Sequence, residues 1–557
     1  MATQPKEQVK RVQEYKDLAS GLEDLRKPWE LQWKEISKYV APMRQYWSNE
    51  DPKSEVPKAP DGSVFDTKPA NDADTLKRGL IGYNVGPRIR WAKITLSDKT
   101  LAELPFVKDW LEAGENIVYK IFNNSKFYTA IAQYLDDLIK PGTATMLVED
   151  PVEYMKLTYS CRHPKETFIT TGEDGMPDLK LRRIWLKGRT MLQRYTPEEL
   201  GKELYKVCEE GPLDYHLIYN FVHKNTEHFV EGYGSMRRPW MSVEIYEAED
   251  RILRETGYYE DPLIVGRWMT NSDEDYGRSP CFNALPEIRR INGVGETLME
   301  SADLSVRPPL NIPDSMKGQE RIIPWGYNYY KRDNRKIETV DIKSNYPIGL
   351  DLLQRMYDNL EDQFHTKLFS MLTQATQQMT AREINERMGE RVALLSAPLT
   401  NINTEVLAPL VKTTFFKALR NGWMPQPPMA LLQSGAQIEI DFVGPLAQAQ
   451  LRYHQAHAVN GGLAVLGAIS QAKQSMEVWD NCDTDDLSRH VMESEGFPET
   501  SIREIPMRDK MRAARAEAER KQRELEQQAE AAKSLPALGK RPQAGSPAEK
   551  MMDQALS

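Results

Sequence analysis

The sequence predicts an α+β fold, because stretches with strand patterns and stretches with helix patterns occupy different parts of the chain. Residues 157–268 consist mostly of short alternating strands separated by turn residues. Residues 276–380 contain two long amphipathic patterns, and helical patterns also dominate from residue 380 to residue 533. A chain of 557 residues can bury more than one core, so we expect several domains.

The N-terminal part of the sequence has mainly helical patterns, which precede the strand-rich region. A helical region over 6–46 carries Trp29, Trp33, Ile36 and Val40 at the spacing of a packed face, which favours core burial over ligand stacking for the two tryptophans. A loop over 50–69 follows. We then expect a helix over 72–83, a strand over 88–94, and helices over 105–122 and 127–139.

The strand-rich region predicts one further helix. Residues 142–149 have the pattern of a turn and a buried strand, and short strands continue to residue 268. Among them, Thr196 and Glu199 have the spacing of a capping box, which predicts the start of a helix. Residues 1–276 therefore predict one body that mixes helices and strands.

Two amphipathic helices flank a proline-rich excursion at the centre of the chain. The first covers 283–304, with Asn283 as its predicted cap and an apolar face formed by Leu285, Ile288, Ile291, Leu298 and Ala302. The second covers 348–368, with an apolar stripe formed by Leu350, Leu353, Tyr357, Leu360, Phe364 and Leu368. Its opposite face carries the acidic residues Asp351, Asp358, Glu361 and Asp362.

The last third of the chain predicts helices and one strand. The helical pattern over 380–419 is interrupted at Pro398 and Pro409, because proline removes a helical hydrogen bond and crowds the preceding turn. A strand over 437–442 and helical patterns over 445–471 and 485–503 follow. Residues 507–533 predict a charged helix, and residues 534–557 predict a disordered tail.

Composition excludes several classes of protein. The chain has 73 Lys and Arg against 82 Asp and Glu, a net charge of −9, which argues against binding nucleic acid by general neutralisation of phosphates. Its four cysteines lack paired spacing, so we expect reduced, structural thiols. No signal-peptide pattern and no apolar run of about 20 residues is present, which predicts a soluble protein without a membrane anchor.

The sequence predicts no enzyme, no cofactor and no metal site. Cys161, His163, His216, His223 and His228 lie within one region, but no HExxH or CxxC motif accompanies them. The acidic residues over 483–486 lack the glycine and the final glutamate of a calcium loop. The glycines over 293–295 do not complete a GxGxxG motif, and no GxxxxGK[ST] motif of a packaging ATPase is present.

Four motifs occur in an order that resembles the portal (head-to-tail connector) proteins of short-tailed bacteriophages. They are Tyr276-Gly277-Arg278-Ser279-Pro280, Ala284-Leu285-Pro286-Glu287-Ile288, Pro308-Pro309-Leu310 and Thr380-Ala381-Arg382-Glu383-Ile384. The resemblance covers about residues 29–498. It implies a wing over 1–276 and 381–440, stem helices over 277–304 and 348–368, and a β-containing clip over 305–347. It also implies a tunnel loop over 369–380 and a helical crown over 441–533.

The same resemblance implies a function and partners. The chain would form a ring, a dodecamer in this family, at one capsid vertex of the virion after assembly in the host cytoplasm. Double-stranded DNA would pass through the ring during packaging and ejection, without sequence-specific contacts. The expected protein partners are the major capsid and scaffolding proteins, the terminase and tail adaptor proteins.

Candidate DNA-facing residues lie at the second central helix and just after it. They are Asp358, Glu361, Asp362, Lys367, Thr373, Gln374, Thr376, Gln377 and Gln378. Residues 369–379 contain no charged residue, and the resemblance implies that they form a mobile loop that projects toward DNA. The alternative is a continuous helix, because Gln, Met, Leu and Ala are good helix formers. The acidic face of the helix also has an alternative interpretation as ordinary solvent-facing charge.

Candidate docking residues lie in the predicted clip. Aromatic and basic side chains, which are enriched at protein interfaces, occur together at Trp325, Tyr327, Tyr329, Tyr330, Arg332, Arg335 and Lys336. This segment either docks tail or motor proteins or packs one subunit against the next. Two other functions remain as alternatives to a portal: a non-catalytic adaptor of another assembly and a metal-dependent hydrolase.

Overall fold

The computed structural model describes residues 5–42, 62–225, 237–307, 309–312, 338–339, 346–373, 392–448 and 505–534. The chain divides into two units, Met1–Leu451 and Arg452–Ser557. No helix in the described ranges is long and apolar enough to cross a membrane.

The N-terminal half of the first unit alternates helices with antiparallel strands. In chain order its elements are α1 (Pro5–Val40), α2 (Lys68–Tyr83), β1 (Ala92–Leu96), α3 (Lys99–Ala102), α4 (Pro105–Asn124), α5 (Phe127–Ile139), β2 (Thr143–Glu153), β3 (Lys156–Arg162), β4 (Thr167–Thr171), β5 (Pro177–Lys187), α6 (Gly188–Arg194), α7 (Pro197–Glu210), β6 (Tyr215–Lys224), β7 (Trp240–Tyr246), β8 (Arg251–Tyr258) and β9 (Leu263–Arg267). The predicted capping box of α7 is confirmed, with Thr196 and Glu199 each bonding the other's backbone N–H.

The remaining described elements are mainly helical. They are α8 (Pro280–Val306), β10 (Leu310–Asn311), β11 (Glu338–Thr339), α9 (Tyr346–Gln363), α10 (Thr366–Thr373), α11 (Ser396–Asn401), α12 (Ala408–Arg420), α13 (Met429–Ser434), β12 (Ile438–Phe442) and, in the second unit, α14 (Ile505–Ser534). A π-helical turn, Ile402–Leu407, joins α11 to α12. The predicted helix over 445–471 lies outside the described residues beyond residue 448, and the structure describes the predicted crown over 441–533 only at residues 441–448 and 505–533.

The described strands form four antiparallel sheets, which confirms the α+β class. The larger sheets have the strand orders β4-β5-β6-β7-β8 and β3-β2-β9. Helix α1 packs on the five-stranded sheet, where Val12, Ala19 and Leu22 meet Phe168 and Phe221. Burial of Trp33 is confirmed: its side chain is 1% exposed, and its indole N–H donates to the Pro141 carbonyl at 2.9 Å.

The principal core lies among α2, α4, α5 and the helices that follow β9. Aromatic rings of Trp91, Phe122 and Phe127 stack within it, and Phe415 of α12 packs edge-on against Trp110 of α4. Strands β1 and β12 form a two-stranded sheet in register Ala92↔Phe442 to Leu96↔Ile438. The N-terminal and C-terminal parts of the first unit therefore complete one hydrophobic core together.

Several predicted boundaries were wrong. Helix α8 begins at Pro280, and its cap is Ser279, whose hydroxyl accepts from the Phe282 N–H, rather than Asn283. A proline is compatible with the first helical turn because the N–H it lacks would have no helical partner there. Strand β1 begins at Ala92 instead of residue 88, and α2 begins at Lys68 instead of residue 72.

The second central helix also differs from its prediction. Instead of one helix over 348–368, α9 ends at Gln363 and α10 begins at Thr366. Residues 369–373, predicted as the first part of a loop, are helical in α10. The break predicted at Pro409 takes the form of the π-helical turn that precedes it, since Pro409 has no N–H to donate back along a regular helix.

Candidate functional site

The α8–α9 pair is the part of the candidate site that the structure describes best. The predicted apolar stripe is confirmed over most of its length: Leu360, Phe364 and Leu368 are buried, and Leu353 and Tyr357 are half-buried. Leu350, at the start of α9, is exposed. The helices approach closely at Gly349, where an added β-carbon would lie 2.8 Å from Cδ2 of Leu298.

The opposite face of α9 carries exposed carboxylates whose charge is partly neutralised locally. Arg355 forms an ion pair with Asp351 at 2.9 Å, and Lys367 forms one with Asp362 at 2.7 Å. Asp358 is exposed and has no ion pair among the described residues. Three carboxylates and two cations leave one net negative charge, so this face is closer to neutral than the acidic residues alone indicate.

Glu361 differs from the other acidic residues of α9. Its carboxylate accepts from Lys68 Nζ at 2.7 Å, and Lys68 also binds Asp72 at 2.8 Å, which ties α9 to α2. Burial lowers the pKa of Lys68, but the hydrogen bonds to Asp72 and Glu361 outweigh burial and raise this pKa. Burial raises the pKa of Asp72. Glu361 therefore belongs to a contact within the subunit.

Two features set the position of the break between α9 and α10: the backbone conformation of His365 and an aromatic contact of Phe369. His365 has a φ of 52°, in the left-handed region, which ends α9 and redirects the chain. Burial lowers the pKa of His365. One turn later, the Phe369 ring lies against Gly79 of α2 and stacks on Tyr83, with 6.2 Å between ring centroids. The absence of a side chain at Gly79 is what allows this contact.

Several predicted site residues lie beyond the described part of the chain. Thr373 is the last residue of α10, and its side chain is not described. Outside the described residues are Gln374, Thr376, Gln377, Gln378 and the clip residues Trp325, Tyr327, Tyr329, Tyr330, Arg332, Arg335 and Lys336. Within the predicted clip, β10 and β11 form a short antiparallel pair.

Three of the described histidines, all in or beside the strand-rich region, have side-chain partners in the protein. His163 accepts from the Lys165 N–H at 3.0 Å, His216 contacts Tyr246 and Cys208, and His223 contacts the Tyr15 hydroxyl at 3.2 Å. Burial raises the pKa of Cys208, which disfavours the thiolate form. Across the described ranges, no group of three or more His, Cys, Asp or Glu is arranged to hold a metal ion.

Sequence reasoning missed the contacts that position the α9–α10 segment. Lys68, Gly79 and Tyr83 come from α2, nearly 300 residues earlier in the chain than their partners. Tyr357 also donates to Asp66 in the segment before α2. Neither the periodicity nor the motifs of either segment indicate this pairing.

Comparisons with known proteins were made against families, curated proteins and solved structures. Residues 12–502 match the family described as "Bacteriophage head to tail connecting protein". The chain is similar to the probable portal protein of Bordetella phage BPP-1, with 26% identity over 471 residues and coverage of 83% of each chain. It is also similar to the portal protein of Salmonella phage epsilon15, with 23% identity over 494 residues, 86% of this chain and 87% of that protein.

Two solved structures are similar to this chain at low TM-scores. A chain of the native gene transfer agent (GTA) particle virion has 10% identity and a TM-score of 0.36, covering 79% of this chain and 89% of that chain. A chain of the empty GTA particle neck, computed with C6 symmetry, has 10% identity and a TM-score of 0.37, covering 73% and 87%. Both TM-scores are below 0.5, so the assignment of the chain to a family rests on the sequence matches alone. The chain belongs to the bacteriophage head-to-tail connecting protein family.

Proposed function

We propose that the chain is the portal subunit of a bacteriophage, a structural protein that forms a ring at one capsid vertex of the virion. The ring would be the channel for double-stranded DNA during packaging and ejection, and the attachment point for terminase and tail. The observation that carries this proposal is the family match over residues 12–502, which includes the whole α8–α9 pair. Similarity to two portal proteins over most of their length supports it.

Exposed apolar side chains on α8 and α9 support assembly with further copies. Burial of the apolar face of α8 declines along the helix, from buried Ile288 and Ile291 to half-buried Leu298. Apolar side chains are exposed at Met299, Leu304, Val306, Leu350 and Leu352. A neighbouring subunit would cover such residues, and a head-to-tail contact that repeats by rotation closes a ring. A dodecamer is the ring that the family resemblance implies.

The charge of the exposed α9 face suits a lining past which DNA slides. Strong cation–phosphate contacts would hold a duplex, because each contact releases counterions. Lys367 is the cation at the α10 end of this face, and its ammonium is paired with Asp362. Asp358 adds a carboxylate that repels phosphate. We propose that this face and residues 374–378 lie toward the DNA.

Electron microscopy of the purified protein tests the ring. Top views should show rings with a central hole, whereas monomers or filaments would contradict the proposal.

A pair of lysines tests the DNA-facing segment. Gln377→Lys with Gln378→Lys should preserve rings but reduce packaging or retention of DNA, because the added cations would bind phosphates. Gln13→Lys with Gln193→Lys, at exposed glutamines of α1 and α6, is the charge-matched control and should package normally. Normal packaging by the first variant would mean that this segment does not face DNA.

Docking of tail or motor proteins is proposed for the clip. Arg335→Glu with Lys336→Glu should leave rings intact and weaken binding of these partners, since Arg-rich aromatic surfaces are typical of interfaces. Loss of the rings themselves would instead favour contact between subunits. The capsid and scaffolding proteins are the remaining proposed partners, and assembly is proposed to occur in the host cytoplasm.

A further inference from the structure

Among the described residues, strand β12 has a pairing partner on one side only. It pairs with β1, and hydrogen bonds at both ends of the pair define which residues face β1: the Val443 N–H donates to the Trp91 carbonyl at 2.9 Å, and the Ser97 N–H donates to the Gln437 carbonyl at 3.0 Å. Since antiparallel strands alternate, odd-numbered residues of β12 bond β1. The even-numbered residues Ile438, Ile440 and Phe442 direct their N–H and C=O groups outward.

The two outer edges of this small sheet differ. Ala92, Ile94 and Leu96 of β1 are buried, and at the outer edge of β1 the Tyr119 hydroxyl of α4 accepts from the Ala92 N–H at 2.8 Å and donates to the Ala92 carbonyl at 3.0 Å. In the described part of the chain, no group bonds the outward N–H or C=O of Ile438, Ile440 or Phe442. Strand β12 also lacks the proline, lysine or bulge that commonly protects an edge strand.

The side chains of β12 alternate between two environments. Ile438, Ile440 and Phe442 are half-buried against the principal core. Glu439 and Asp441 are exposed on the other face, and neither carboxylate has an ion pair within the described ranges. The free edge therefore combines unpaired backbone groups, an apolar side and an acidic side.

We propose that the free edge of β12 binds an extended segment of a partner protein as an added strand, and that this segment alternates apolar and basic residues. Main-chain hydrogen bonds to the outward groups would supply affinity, and side chains at alternate positions would supply specificity. Lysine or arginine would lie beside Glu439 and Asp441, and apolar residues would extend the face that packs on the core.

Charge favours such a partner over pairing between the β12 strands of two copies. Two β12 edges placed side by side would bring Glu439 and Asp441 of one copy against the same carboxylates of the other. Like charges on facing strands are destabilising. The observations behind this inference belong to the single chain and do not use the proposed ring.

The test uses the full chain and a fluorescent peptide of about nine residues that alternates Lys and Val, which is within the usual range of strand lengths and long enough to span β12. Fluorescence anisotropy should detect binding to the wild-type chain. Glu439→Lys with Asp441→Lys should weaken binding about tenfold or more, since it replaces attraction by repulsion. Glu203→Lys with Glu209→Lys, at exposed sites on α7, is the charge-matched control and should stay within about twofold of wild type.

A second peptide separates strand addition from simple charge attraction without altering the protein. The same sequence with every backbone nitrogen methylated keeps its charge but has no N–H to donate, so it should bind about tenfold more weakly or not at all. Equal binding of the two peptides would overturn the proposal in favour of non-specific attraction.

Amide hydrogen exchange locates the bound strand. In the free chain, the amides of Ile438, Ile440 and Phe442 should exchange faster than those of Glu439 and Asp441, which bond β1. The first peptide should slow exchange at the three outward positions. Slow exchange there in the free chain, relieved by dilution, would mean that another copy already occupies the edge and would overturn the proposal.

Discussion

A buried ion pair fixes the helices after residue 392 to the three-stranded sheet. Glu405, in the π-helical turn, accepts from Arg267 of β9 through both oxygens, at 2.7 Å from Nη2 and at 2.9 Å from the backbone N–H. The two side chains are 7% and 4% exposed. Each charge therefore depends on the other for compensation of its lost hydration.

Removing the Glu405 carboxylate should destabilise the folded chain. We expect Glu405→Gln to lower the free energy of unfolding by about 3 kcal/mol or more, because Arg267 would keep a buried charge without a counter-charge. Urea denaturation of the purified chain measures the change. Glu260→Gln, which removes the partner of the more exposed Arg420, is the control and should cost less than about 1 kcal/mol. Equal losses would contradict the special role of the buried pair.

The capping box of α7 predicts that the free energy of unfolding depends on pH. Hydrogen bonds from Arg254 lower the pKa of Glu199 from 4.5 to about 2. The stability from this carboxylate is therefore fully present above pH 4.5 and is lost as the pH falls toward 2. Unfolding free energies of wild type and Glu199→Gln, measured by urea denaturation between these values, should converge as the pH falls. Solvent screening limits the difference to below about 1 kcal/mol. A constant difference would argue against this linkage.

At the scale of elements, the contact between α10 and α2 determines how the α9–α10 segment is held. A β-carbon at Gly79 would overlap the Phe369 ring. We expect Gly79→Ala to lower the free energy of unfolding by about 1–3 kcal/mol, the range for overpacking a core. Gly82→Ala is the matched control: it lies in the same helix with no atom within 4 Å of the added carbon. Denaturation curves that rank the two variants equally would show that the ring moves aside without cost.

Helix and strand types were predictable at this scale, but some ends were not. The Thr196 capping box and the apolar spacing of Trp33, Leu360 and Phe364 are local patterns, and the structure confirms them. The start of α8 was misplaced because Asn283 and Ser279 are both good caps, and the local signal that favours Ser279, a proline at the first helical position, was not used. The helical residues 369–373 were assigned to a loop from resemblance, although their own composition favours a helix.

At the scale of the whole molecule, the contacts between distant segments could not be predicted. Lys68 with Glu361 and Arg267 with Glu405 join residues 293 and 138 positions apart. Each of these residues, taken alone, has the pattern of an ordinary surface charge. The family resemblance predicts an order of parts along the chain, but only the three-dimensional structure brings these partners together.

The last residues of the chain are predicted to be dispensable for ring assembly. The sequence of residues 535–557 has no apolar stripe, so we expect these residues to contribute little to assembly. A chain that ends at Ser534 should still form rings of the same size in electron micrographs. The full-length chain, imaged under the same conditions, is the control. Loss of rings in the truncated chain would show that the tail contributes to assembly.

The β1–β12 pair has a consequence for the chain during its synthesis. Ala92, Ile94 and Leu96 are buried in the finished core, yet the strand that pairs with them emerges about 340 residues later. At about 5–20 residues per second, a ribosome needs roughly 20 to 70 s to make the intervening chain. For that time β1 has an unpaired strand edge beside an incomplete core, a state that is prone to aggregation. The yield of folded protein should therefore depend on translation rate and on chaperones that bind β1 until β12 has been synthesised.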